Sequence, residues 1–308
     1  MTDIKELLRF PFSEYANKLD EFKLWITLAK NTADWSMEIL EQNLDKIDWV
    51  ELSRNKTDGA IRLLEQNIDD IEWSELSRNV ADGAIRLLEQ HLDKVDWYWL
   101  SCNNSASAVR LLEQNLDKID WHRLSCNNAE GAIYLLEQNL NNVNWSVLSG
   151  NNAEGAVRLL EQNLEKVDWW GLSGNTSERA GNLLANNLDK VDWDMLSQNN
   201  SESAIRLLEQ NLDMINWHRL SLNTSVNALR LLACNLDRVN WNMLSGNNSE
   251  GAIRLLEQNF NNVNWEYLSY NQTEAAVELM ANNLDKVNWN WLSYNPFIIE
   301  APCEYLLK

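Results

Sequence analysis

Trp241-Asn-Met-Leu244-Ser245-Gly246-Asn247-Asn-Ser249-Glu-Gly-Ala252-Ile253-Arg-Leu-Leu256-Glu-Gln-Asn259-Phe-Asn-Asn-Val-Asn264 is one period of a pattern that runs along almost the whole chain, and Trp265 starts it again. Tracing it outward, Trp recurs at Trp25, Trp49, Trp73 and onward to Trp289, always 24 residues apart, in 12 copies without insertion or deletion. A Leu stands three residues after each of these Trp (Leu28 to Leu292), and an Asn six after (Asn31 to Asn295). A Ser stands four after in every copy but the first, which has Ala29. Self-similarity at a fixed period of this size marks a solenoid or array, in which each unit buries its apolar face only against its neighbours.

Each unit reads as two helices. In Ser249–Asn259, Ser249 is an N-cap and Glu250 sits in the first turn, where the helix dipole favours a carboxylate. Ala252, Ile253, Leu256 and Phe260 fall on one stripe at helical spacing, and Arg254 with Glu257 forms an i,i+3 pair. Asn259 stops the helix, because Asn tolerates the left-handed conformation. The other segment runs from Leu188 to Asn199, with Asp189 as its expected N-cap. Helices of about nine residues (~13 Å) are not stable alone, so stacking must supply the core. The Ala column, Ala60 to Ala276, permits close helix contact, and the Trp column is expected to fill the space between units. At ~8–10 Å per step, the array would be about 100 Å long. The reading is an all-α fold: an α-solenoid of 12 two-helix repeats over residues 25–295. Residues 1–24, with Phe10, Phe12 and Tyr15, read as an N-terminal cap. Residues 296–308, with Pro296, Pro302 and Tyr305-Leu306-Leu307, read as a C-terminal cap. The competing fold is a leucine-rich-repeat-like solenoid, whose period of about 20–29 residues includes this one. That repeat wants Asn or Cys where this chain always has Leu, and Asp-Lys, Ala and Glu-Gln favour helix over strand.

Composition narrows the function classes. The chain has 308 residues and a net charge of −20, with only 10 Gly and 3 Pro but 16 Trp. Strong acidity argues against a nucleic-acid binder, because phosphate contacts need clustered Lys and Arg. No apolar run of ~18 residues is present, so no membrane span is expected. The opening MTDIKELLRF lacks the apolar core of a signal peptide. Four cysteines, at Cys102, Cys126, Cys234 and Cys303, read as free thiols. These features point to a cytoplasmic protein with no membrane association.

The unit Asn187-Leu-Asp-Lys-Val-Asp-Trp193-x-x-Leu196-Ser-x-Asn199, continued by Ala204-Ile-x-Leu-Leu-Glu-Gln-Asn211, resembles the short Leu/Asn/Trp repeats abundant in large and giant DNA viruses of protists. The match covers roughly residues 25 to 297. Leu292-Ser293-Tyr294-Asn295-Pro296 keeps the Asn-Pro form of that repeat, whereas most units have Asn, Thr, Lys or Val after the Asn. The resemblance implies a helical repeat protein, in the host cytosol if viral, and it transfers no catalytic residue.

No catalytic constellation stands out. Asp189, Asp192 and Glu209 recur in unit after unit, which is the mark of caps and surface pairs rather than of one acid/base site. His122 and His218 occupy the same position four units apart and cannot share a metal, while His91 replaces the column Asn at a helix end. Cys102 and Cys126 lie one unit apart, and a step of ~8–10 Å exceeds the Cα limit for a disulfide. The Asn-x-Ser/Thr triplets at Asn103, Asn175, Asn199, Asn223, Asn247 and Asn271 arise wherever an Asn helix stop precedes a Ser or Thr N-cap. Neither enzyme activity, nor a cofactor, nor a metal is expected.

The information lies in three variable columns: one, two and five residues after each Trp. They are expected to share one exposed strip. Near the C-terminal end they hold Tyr267, Tyr270, Trp291 and Tyr294, with Trp99 further back, and surface aromatics are typical contact residues. Adjacent units should stack Tyr267 on Trp291 and Tyr270 on Tyr294. The residue before each Trp is acidic in most early copies and Asn from Asn216 on, which fits a capping position where Asp and Asn interchange. The expected function is a non-enzymatic scaffold that binds a protein or peptide through these columns. The alternative is a structural or self-assembling viral protein.

Overall fold

The way each turn satisfies its backbone explains why 24 residues hold two helices. In the computed structural model, which describes residues 21–295, the repeat starting at Trp193 begins with the helix Trp193–Gln198, here called a Trp helix. It continues with Glu202–Gln210, an Ala helix, and closes on a 3-10 turn, Leu212–Met214. This order recurs along the chain, and no strand occurs among the described residues, so the helical reading holds over the leucine-rich alternative. No helix among the described residues is long and apolar enough to cross a membrane. The expected C-terminal cap, and residues 1–20 of the N-terminal one, lie outside the described residues.

Two local expectations are corrected. Asp189 caps nothing: Leu188–Lys190 is a 3-10 turn and Val191 is extended. The cap is Asp192, whose Oδ1 accepts the Met195 N–H at 2.8 Å. The extended residue lets Val191 point into the core, where it is buried, and leaves a Trp helix of only 6 residues. Nor does Asn259 enter the left-handed region: its φ is −127°, and no residue described has a positive φ. It ends the helix through its side chain, Nδ2 donating to the Leu255 carbonyl at 2.8 Å. Asn67, Asn115, Asn163 and Asn211 do the same in their repeats. The Ser249 cap holds, accepting from the Ala252 N–H, but Arg254 pairs with Glu250 rather than Glu257.

The core consists of the Leu three after each Trp, the Ala column and the Leu-Leu pair of each Ala helix, nearly all fully buried. The Trp column does not fill it. Trp25 is buried, but Trp49 to Trp265 are only half-buried and Trp289 is exposed. These rings cover the flank of the repeat: Phe260 meets Trp265 at 5.5 Å, His91 meets Trp73 at 5.3 Å, and Lys46 lies over Trp25. Ala helices interlock by knob and notch. A Cβ on Gly251 would stand 2.6 Å from Leu229 Cδ1 of the preceding repeat, so the tip of that leucine fills the space the glycine leaves. Where the knob itself is Gly181, the notch holds Ser203.

Buried polar groups must find partners, and here the column Asn finds them in the preceding repeat and the column Ser on its own helix and at the cap of the next Trp helix. Asn79 Nδ2 donates to the Ser53 carbonyl at 3.0 Å and the Asn55 carbonyl at 2.9 Å, while its Oδ1 accepts the Ala81 N–H. Ser77 Oγ donates to the Trp73 carbonyl and accepts the Asp96 N–H at 3.0 Å. The Asn and Ser columns are thus side-chain ladders joining repeats. Contacts divide the chain into two units, Met1–Gly155 and Ala156–Lys308. Within the first, the Asn ladder runs through Asn55, Asn79, Asn103, Asn127 and Asn151. Within the second it runs through Asn199, Asn223, Asn247, Asn271 and Asn295. In both, Trp helices pack on Trp helices and Ala helices on Ala helices of adjacent repeats.

Candidate functional site

With the framework columns committed to core and ladders, the Trp helices leave their variable positions at the surface. The residue five after one Trp reaches the residue two after the next. In Met1–Gly155 this register is ionic. Arg54 donates to both Glu75 carboxylate oxygens at 2.8 Å and to Glu51 at 2.9 Å. Lys30 lies 3.4 Å from Glu51, and Arg78 3.4 Å from Glu75. The Arg54 hydrogen bonds outweigh burial and hold the Glu75 carboxyl below its ordinary value, and they raise the Arg54 guanidinium in turn. The register then becomes aromatic but still self-covered. Arg78 lies over the Trp99 ring at 3.8 Å, Trp99 meets Tyr98 edge-on at 4.8 Å, and Arg123 lies over Tyr98 at 4.2 Å. Trp99, an expected contact residue, is half-buried beneath this arginine.

In Ala156–Lys308 the same register builds a cavity of about 340 Å³. Its walls are Leu222 and Met243, then Gly246 and Tyr267, then Tyr270 and Trp291, each pair a residue five after one Trp facing a residue two after the next. Glu266, Asn248 and Gln272 complete the lining. Gly246 leaves its place in this lining without a side chain. That glycine is not demanded by the backbone, since its φ of −89° suits any residue; a Cβ there would stand 3.6 Å from Tyr267. Tyr267, Tyr270 and Trp291 remain 41%, 49% and 44% exposed. The structure brings these three expected residues together. Tyr294 stands exposed in the turn just past the last Trp helix, Trp289–Leu292. The ring contact is diagonal rather than like on like: Tyr270 meets Trp291 edge-on at 6.3 Å. Sequence reasoning missed Leu222, Met243 and Gly246, although their positions in the two columns would have placed them.

The third column, one after each Trp, touches the cap of the next repeat. Asp194 accepts from Asn216 Nδ2 at 2.7 Å, and Asn242 accepts from Asn264 Nδ2 at 2.7 Å. His122 and His218 contact Asn144 and Asn240 through Nδ1 at 3.1 and 3.2 Å. This explains the run of Asn before Trp. Where the facing residue is His, Asp, Asn or Glu, the cap is Asn; where it is Ile26, Val50, Ser74, Tyr98, Ser146 or Trp170, the cap is Asp or Glu. Both Asp and Asn accept the cap bond, so capping leaves the choice free and the neighbour makes it. Glu72 is too long and makes no side-chain cap.

The remaining candidates resolve into structure. Asn103, Asn175, Asn199, Asn223, Asn247 and Asn271 are buried, and Ser105, Ser177, Ser201, Ser225, Ser249 and Thr273 cap the helices that follow them. Cys102, Cys126 and Cys234 are free, and burial pushes the Cys102 thiol up. His122 and His218 are exposed. Among the described residues, no group of three or more His, Cys, Asp or Glu side chains is placed to hold a metal ion. Compared with known proteins, the chain matches no family model, no curated protein and no solved structure.

Proposed function

We propose that this chain is a non-enzymatic scaffold that binds a protein or peptide partner through the strip formed by its Trp helices. The observation that carries the reading is the open cavity walled by Tyr267, Tyr270 and Trp291 together with Leu222 and Met243. Apolar concavities edged by a few polar groups are the usual form of a binding site, and aromatic side chains dominate contact energy. The regular framework beneath supports this reading, because it fixes the strip without using the strip residues themselves. Resemblance to repeats of large DNA viruses directs the search for the partner to infected protist cells and their cytosol.

The test separates binding from folding. Tyr270→Ala and Trp291→Ala, singly and together, are compared with wild type for thermal melting and for recovery of the partner by crosslinking at Tyr294. Unchanged melting with lost recovery is the expected result. A large fall in melting temperature would assign these rings to the packing of the terminal repeats. Concentration-dependent growth in light scattering would instead support self-assembly.

A further inference from the structure

The cavity at Tyr267, Tyr270 and Trp291 has an internal precedent that shows what it lacks. In Met1–Gly155 the Trp99 face is covered by Arg78, a guanidinium 3.8 Å from the ring centroid, and Tyr98 is covered by Arg123. Trp291 occupies the Trp99 column and Tyr270 the Arg78 column. The arginine that would be expected over the tryptophan has become a second aromatic. One repeat earlier, Gly246 again stands in the Arg78 column and faces Tyr267. Among the described residues lining the cavity there is no Lys or Arg, and the one charge is Glu266. Of the four Trp helices that contribute to it, Trp241–Ser245, Trp265–Leu268 and Trp289–Leu292 carry no other charge, while Trp217–Leu222, which supplies Leu222, carries Arg219 outside the lining.

We infer that the cavity receives an arginine side chain from a basic peptide segment of the partner, the guanidinium lying against Trp291 and Tyr267 with Glu266 beside it. Aromatic faces carry negative potential, and they attract cations most strongly in a partly desolvated pocket. A carboxylate in the lining adds to that field, and a chain with a net charge of −20 draws basic segments toward it. Asn248, whose Oδ1 accepts the Gln272 N–H at 3.3 Å, and Gln272 add polar groups to the lining, suited to the backbone of an extended peptide. The inference rests on the proposed contact surface and adds the chemistry of its occupant.

The experiment uses the full chain and two probes, acetyl-Gly-Ser-Arg-Ser-Gly-amide and the same peptide with citrulline, a neutral isostere of arginine. Binding is followed by ligand-observed NMR, and folding by circular dichroism. The arginine peptide is expected to bind about 10-fold tighter than the citrulline peptide. Trp291→Ala should remove that preference, and Glu266→Gln should weaken it several-fold. Gly246→Arg restores an internal guanidinium at the register used by Arg78; it should stay folded, because the backbone there accepts any residue, and should block the probe. Equal binding of both peptides, lost together in Trp291→Ala, would overturn the cation while leaving the contact surface standing. Absence of saturable arginine-peptide binding by the folded wild type would also overturn it.

Discussion

The strip that starts at Lys30 and the groove that ends at Trp291 are made from the same two columns on the same framework, yet they differ in what they leave open. The first is closed on itself: Arg54 is held between Glu51 and Glu75, and Arg78 lies over Trp99. The second has exchanged its cations for Gly246 and Tyr270 and keeps a cavity. Since the backbone and ladders are alike in both, the difference belongs to side chains alone. A repeat array can therefore carry an open cavity at one place and a self-satisfied surface at another with no change of fold.

If the framework is common, breaking it should hurt both regions equally. Asn127 and Asn247 each donate to two carbonyls of the preceding repeat. Replacing either with Ala strands those buried carbonyls. At roughly 1–3 kcal/mol for each unsatisfied group, Asn127→Ala and Asn247→Ala should each cost about 3 kcal/mol. Urea unfolding measures this. A loss confined to one of the two variants would break the premise that the regions differ only at the surface.

The next effect separates them. Trp99 is packed by Arg78 on its face and Tyr98 at its edge, whereas Trp291 meets Tyr270 and is 44% exposed. Trp99→Ala should cost about 2 kcal/mol in apolar burial and cation contact, and Trp291→Ala under about 1 kcal/mol. Paired thermal melts decide it. Equal destabilisation would mean that the groove aromatics are structural.

These contrasts show what was readable beforehand. Period, helix content and caps such as Ser249 are local or repetitive signals, and they were legible. The start of the Trp helix was not, because both Asp189 and Asp192 are good caps and only the need to bury Val191 chooses between them. Within its own unit the column Asn reads only as a helix stop. Its bonds to the preceding repeat depend on stacking register, which no single unit contains. The groove was half visible: its aromatics stood out as exceptions, while Gly246 passed as an unremarkable small residue, since absence of a side chain gains meaning only when its neighbours are known. The Trp column misled for a related reason, because bulk and regularity resemble a core although the rings lie on the flank.

The Asp/Asn choice before each Trp offers a sharper and smaller test. Asn216 donates to Asp194 at 2.7 Å. Asn216→Asp keeps the cap acceptor but sets two carboxylates against each other, which should cost about 1 kcal/mol at neutral pH through like-charge repulsion. The cost should shrink as acid protonates one of the pair. Asn264→Asp faces Asn242, an uncharged partner, and should lose less at neutral pH. Chemical unfolding at pH 7 and pH 4 distinguishes the two. Equal losses would mean that the neighbour does not set the cap.

The smallest expected effect concerns the ionic strip. Glu75 accepts two hydrogen bonds from Arg54, and these hold its carboxyl below the ordinary value of 4.5. A carboxyl lowered by folding binds its proton more readily in the unfolded chain. Its contribution is therefore complete above the unfolded value and is lost as pH falls through the lower folded value. Arg54 is 46% exposed in its side chain, so solvent screens the pair and its worth should stay below about 1 kcal/mol. Glu75→Gln should accordingly be slightly less stable than wild type from pH 7 down to about 5, and the two should converge as pH drops below 4.5. Added salt should narrow the gap at neutral pH, since exposed charges are screened within about 10 Å at 0.1 M. If Glu75→Gln instead tracked wild type at every pH, the ionic register would be geometry without energy, and the two surfaces would differ in shape but not in how far each satisfies itself.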